Sequence, residues 1–181
     1  MNTPPRLLPL SRPFAVAALP SGGRNFKVEA TPAECLAVAS ACGLVAVKSL
    51  VAELTVMPSS ASVNVTGMVK AVVTQACTVS LDPFDAVVDE PVDLQFMPES
   101  GVTAWMKKHS PDPNEDLAYE IDPPDVIVDG KIDLGAVATE FLSLGLDPYP
   151  RKPGVAFEPG PDQAEKDPSL FAALAQWKKP E

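Results

Sequence analysis

Between Val63 and Leu81 the chain reads VNVTGMVKAVVTQACTVSL, and its side chains alternate in character for longer than an ordinary strand lasts. Val63, Val65, Val69, Ala71, Val73, Cys77, Val79 and Leu81 fall on one face, against Asn64, Thr66, Lys70, Thr74, Thr78 and Ser80 on the other. Successive residues of a strand point to opposite faces, so this alternation requires a sheet with one buried side. Strands usually end after about ten residues. The run therefore predicts either a long bent strand, with Gly67 at a bulge or a close approach, or a break near Gln75.

The flanking segments extend the pattern. SLVAELTVM places Leu50, Ala52, Leu54 and Val56 together, and EPVDLQFM adds Val92, Leu94 and Phe96 as a further strand, with Pro91 near its start suggesting an edge or an entry point. Upstream, PFAVAAL and RNFKVEA surround a Pro-Ser-Gly-Gly turn and read as a hairpin. The period changes at ATPAECLAVASACGL, where Thr31 is placed to cap a helix, Pro32 to open it, Glu34 to complete a capping box and Gly43 to end it. Its sheet-facing side is expected to include Leu36, Val38 and Ala39. Downstream, DVIVDG gives a short strand and an Asp129-Gly130 turn. Asp133 then caps a helix whose stripe is Leu134, Val137, Ala138, Phe141, Leu142 and Leu146.

The expected fold is α+β: a curved, mainly antiparallel sheet, possibly barrel-like, with two packing helices and a short C-terminal helix. Residues 1–11 are expected to form a disordered tail and 12–158 a single domain. Within that domain the proline-rich, acidic stretch 98–124 reads as a mobile loop, and 159–181 as a tail holding the short helix.

Charge narrows the function classes. The chain of 181 residues carries a formal net charge of −10, which argues against a free-standing nucleic-acid binder, since neutralising phosphates needs an excess of clustered cations. Cys35, Cys42 and Cys77 make neither an even disulfide set nor a zinc spacing and fit a reducing compartment. Arg12, Pro9, Pro13 and Pro20 interrupt the N-terminal apolar run, and no later apolar run is long enough to span a bilayer, so the expected location is cytoplasmic. His109, the one histidine, sits in the loop-like stretch without a nucleophile beside it, which argues against an enzyme.

Two surfaces remain as binding candidates. GLDPYPRKPGVAF is a stiff extended strap that displays Tyr149, Arg151 and Lys152, with Pro148 and Tyr149 expected to pack on the preceding helix and the cations to point outward. Trp105, Lys107 and Lys108 add an aromatic beside two cations, a pairing that stacks a base and holds a phosphate. Against these, the acids of the segment after His109, among them Asp122, Asp125 and Asp129, form a solvated face able to attract a basic partner. Their spacing does not match a calcium loop.

The segments VEATPAECLAVA, VNVTGMVKAVVTQACTVSLDPF, DGKIDLGAVATEFLSLGLDPYPRKPGVAF and SLFAALAQWK, in that order, resemble the YceD family, the large ribosomal RNA subunit accumulation proteins of bacteria and plastids. Many members carry an Arg and a second Cys just after the first Cys, whereas Cys77 is followed by Thr78, Val79 and Ser80. A paired-cysteine or metal role does not carry over. The resemblance implies a non-enzymatic role in making or stabilising 23S ribosomal RNA, with no cofactor, metal or catalytic residue to transfer. The implied partners are a large-subunit ribosomal protein, precursor 23S rRNA or both, and neither DNA nor a membrane. The rival readings are a small-ligand β-barrel carrier and another protein-interaction module.

Overall fold

A computed structural model describes residues 8–109 and 122–156. The expected tail helix, the outer part of the N-terminal tail and the middle of the 98–124 stretch lie outside the described residues. Packing begins upstream of Arg12, because Leu10 is buried in the core.

Three long strands make the body: β3 (Ala46–Pro58), β4 (Val63–Ala76) and β5 (Pro83–Met97) form an antiparallel meander. With β2 (Arg24–Glu29) outside β3 and the short β6 (Asp125–Val126) parallel to the end of β5, they give one sheet of five strands in the order β2-β3-β4-β5-β6. Among the described residues β2 and β6 each pair on one side and do not meet each other, so the sheet is open and the barrel-like alternative is corrected. A separate two-stranded ribbon joins β1 (Pro13–Ala15) to β7 (Lys131–Asp133), with Phe14 opposite Ile132.

The predicted hairpin between PFAVAAL and RNFKVEA does not form. β1 pairs with β7, and a 3₁₀ turn at Val16–Ala18 leads away from it before β2 pairs with β3. The two segments still touch, as Phe14 and Phe26 meet edge-on with ring centroids 4.7 Å apart. Ring packing took the place of the ladder that the local turn signal suggested.

The valine alternation behaves as its period requires. Val63, Val65, Val69, Ala71 and Val73 are buried on one side of β4, and Val47, Leu50, Ala52, Leu54 and Val56 cover the same side of β3. The strand ends at Ala76, just past Gln75. Gly67 lies opposite Leu54, where an added Cβ would come 2.1 Å from the Glu53 carbonyl oxygen. The close approach of two backbones is therefore the reason for this glycine.

Two helices close the buried side. α1 (Pro32–Cys42) begins at the predicted capping box and ends at Gly43 in the left-handed conformation with φ +67°. Its inward residues are Cys35, Val38 and Ala39, while Leu36 is 73% exposed and does not belong to the expected face. α3 (Leu134–Leu144) buries Leu134, Val137, Ala138 and Leu142, with Phe141 and Leu146 packed at the margin. Asp133 accepts hydrogen bonds from the Gly135 and Ala136 N–H groups and also from the backbone of Arg12, so one carboxylate starts the helix and holds the N-terminal segment to it.

The stretch expected to be a loop opens with a helix, α2 (Glu99–His109). Glu99 lies in its first turn and Lys107, Lys108 and His109 in its last, complementing the helix dipole at both ends. Val102 alone is buried, so no apolar stripe announces this helix.

Candidate functional site

The strap, residues 145–156, is moored to the turn that joins β4 to β5. The Pro150 carbonyl accepts from the Thr78 N–H at 2.8 Å and from its hydroxyl at 3.2 Å, and Gln75 Nε2 donates to the Asp147 carbonyl at 3.3 Å. Lys152 Nζ lies 3.4 Å from Asp82 Oδ2, so this cation is tied to the turn rather than free. Tyr149 is 73% exposed and does not pack on α3, which corrects its expected position. Its N–H is instead held by the Asp147 side chain at 2.8 Å. Tyr149 and Arg151 are thus presented on a fixed backbone, both exposed.

Beneath this mooring lies Cys77, whose side chain is fully buried. Burial by itself would push a thiol up. The backbone N–H of Lys152, followed by those of Ser80 and Val79 and the Ser80 hydroxyl, outweighs that and lowers the group to about 6. Ser80 N stands 3.5 Å from the sulfur. The sulfur thus accepts from the Ser80 N–H of its own turn, beneath the point where Thr78 holds the strap through the Pro150 carbonyl. Cys77 was expected on the apolar face of its strand, and the sequence alone held no sign that it would lie beneath the strap.

Trp105, Lys107 and Lys108 are on α2, with Trp105 stacked on His109 at a centroid distance of 4.2 Å and His109 Nδ1 donating to the Trp105 carbonyl. This helix follows β5, whereas the strap sits before it. Fifteen residues of strand separate the two, a length of roughly 45 Å at about 3.3 Å per residue. The six aromatic and cationic binding candidates therefore divide into two surfaces at opposite ends of β5.

The acidic candidates are strung along the return from β6 to β7. Asp122 is exposed just ahead of β6, Asp125 lies within it opposite Phe96, and Asp129 occupies the tight turn with φ 50°. Burial pushes the Asp125 carboxyl up. The sequence reading overlooked a second acidic row on β5, where Asp85, Asp89 and Asp93 recur every fourth residue and so share the solvent face of the sheet. Asp85 pairs with Lys48 and Asp89 with Lys70.

An open groove of about 510 Å³ runs between α1 and the start of β3, lined by Pro32, Cys35, Leu36, Val47 and Lys48 among others. Among the described residues no three His, Cys, Asp or Glu side chains gather as a metal site, and no helix is long and apolar enough to cross a membrane.

An open, mainly antiparallel sheet backed by helices, with charged surfaces at its ends and along its edge, defines an α+β scaffold. Residues 65–178 match the family described as Large ribosomal RNA subunit accumulation protein YceD, and the chain belongs to that family. The match begins within β4 and takes in β5, α2, α3 and the strap. No curated protein and no solved structure matches the chain.

Proposed function

We propose that this chain is a non-enzymatic, cytoplasmic factor in assembly of the large ribosomal subunit, which supports the synthesis, processing or stability of 23S rRNA by binding a basic ribosomal protein. Membership of a family whose description is large ribosomal RNA subunit accumulation supports the pathway. The acidic row on β5 is the observation that carries the choice of partner, since Asp85, Asp89 and Asp93 share the solvent face of one strand that contains no Lys or Arg. A chain with a net charge of −10 repels phosphate at long range and attracts the cationic tails that an RNA-binding protein must keep from unproductive contacts.

A second contact, with precursor rRNA itself, is favoured by the exposed Tyr149 and Arg151 on the moored strap, a ring and a cation held at fixed spacing. Replacing Arg151 and Lys152 by Glu separates the two contacts. Precursor particles sedimented from cells should retain the doubly substituted chain if the acidic row makes the main contact, and lose it if the strap does. Absence of even the unaltered chain from large-subunit precursors would overturn the assembly reading.

A further inference from the structure

β5 pairs with β4 along nearly its whole length, whereas among the described residues only Phe96 and Met97 pair on its other side, with β6. One hydrogen bond orients the remaining edge: the Met97 carbonyl accepts from the Ile127 N–H, so the backbone of Met97 faces away from β4. Backbone direction alternates from residue to residue in an antiparallel pair, and this ladder has no register shift. The odd-numbered residues of β5 therefore direct their N–H and C=O groups at the open edge. Pro91, which has no N–H, occupies one of these outward positions, where it removes no bond to β4. Ahead of it, Asp85, Val87 and Asp89 form an uninterrupted run of outward backbone, and Val87 is 71% exposed in the middle of that run.

We infer that the β5 edge from Asp85 to Asp89 takes up an extended basic peptide segment as an added strand, with cations beside the two aspartates and an apolar residue beside Val87. The inference rests on the reading that the chain holds a basic protein, and it supplies the place and the conformation of the contact. Main-chain bonds along the edge give affinity in such an arrangement, and alternate side chains give selectivity.

Charge decides the occupant. A second copy paired antiparallel about Val87 would set Asp85 and Asp89 against the same two aspartates, and like charges across a strand pair are unfavourable. The chain's own residues 110–121 carry Asp112, Glu115, Asp116 and Glu120 and no base, and residues 157–181 hold more acids than bases, so neither suits this edge. The pairs with Lys48 and Lys70 are exposed and exchange for incoming cations at little cost. Asp93 and Glu90 have no ion-pair partner among the described residues.

The test uses the full chain and a fluorescein-labelled synthetic peptide that alternates lysine and threonine around a central valine. Binding is read by anisotropy and by amide exchange. Exchange at Asp85, Val87 and Asp89 should slow when the peptide is added, and Val87→Pro should raise Kd by about tenfold or more by deleting an outward N–H, as Pro91 already does. Asp89→Lys, at an exposed position, should give a comparable loss and supplies the result if the proline variant fails to fold. Equal binding by a peptide N-methylated on alternate amides, or by both variants, would overturn the inference. So would edge amides already protected in the isolated chain, or protection that grows with its own concentration. If those outcomes arise while the chain still co-sediments with large-subunit precursors, the edge is wrong and the assembly reading stands; loss of co-sedimentation by the unaltered chain removes the reading beneath it.

Discussion

Arg12 and Glu34 tie the N-terminal segment to α1 through a two-pronged ion pair, with Nη1 to Oε1 at 2.6 Å and Nη2 to Oε2 at 2.9 Å. The same carboxylate accepts from the Thr31 backbone at 2.8 Å, so the capping box and the ion pair share one side chain. Arg12 first, and then Thr31, hold the Glu34 carboxyl down at about 2 from its ordinary 4.5. A carboxyl lowered by folding contributes stability that is present above its unfolded value and lost as pH falls through its folded one. Thermal unfolding of wild type and Glu34→Gln should therefore differ most above about pH 4.5 and converge toward pH 2. A gap that does not change with pH would contradict this role.

Cys77 gives the opposite end of the pH scale a similar signature. Its thiol is lowered from 9.0 to about 6, principally by the Lys152 N–H, so the thiolate's contribution is complete above pH 9 and fades as pH drops through 6. Relative to Cys77→Ala, the wild-type chain should gain stability between those values. Amide exchange at Thr78, whose N–H bonds Pro150, should speed up in the variant, reporting a loosened strap. Unchanged exchange at Thr78 would separate the sulfur from the mooring.

Replacing Gly67 by Ala should destabilise the chain by about 2–3 kcal/mol, because the new methyl meets the Glu53 backbone rather than a side chain able to turn aside. Its φ of +155° adds to the strain. Chemical unfolding measures this directly. A loss under half of that range would mean that β3 and β4 can part locally.

Leu142 and Leu36 test which helical faces are buried. Leu142→Ala should cost about 2–5 kcal/mol, whereas Leu36→Ala should stay within about 0.5 kcal/mol. The sequence placed both on inward faces. Leu142 belongs to a stripe long enough to define its direction, while α1 is apolar nearly all round, with Ala, Val and Cys interleaved, so its composition does not show which side meets the sheet.

Features set by neighbours in sequence were legible. The Thr31–Glu34 box, the Asp133 cap, the Asp129-Gly130 turn and the β4 alternation each depend on residues a few positions apart. Non-local choices were not legible. β1 and β7 pair across most of the chain, and local turn chemistry at Gly22 and Gly23 carries no information about that choice. α2 escaped notice because charges at its ends and the Trp105–His109 stack support it instead of an apolar stripe. For the candidate site, residue types were readable but their distribution was not: a strand the length of β5 separates the strap from Trp105, Lys107 and Lys108, and the outward backbone beside Asp85 and Asp89 depends on how little of β5 the short β6 covers.

The most direct measurement of the central claim is the ratio of mature large-subunit to small-subunit rRNA in cells depleted of this protein, read with a gradient profile of their ribosomal particles. A selective fall in the large-subunit RNA, with its precursor particles accumulating, is the predicted result. A ratio equal to that of undepleted cells would contradict the assembly role.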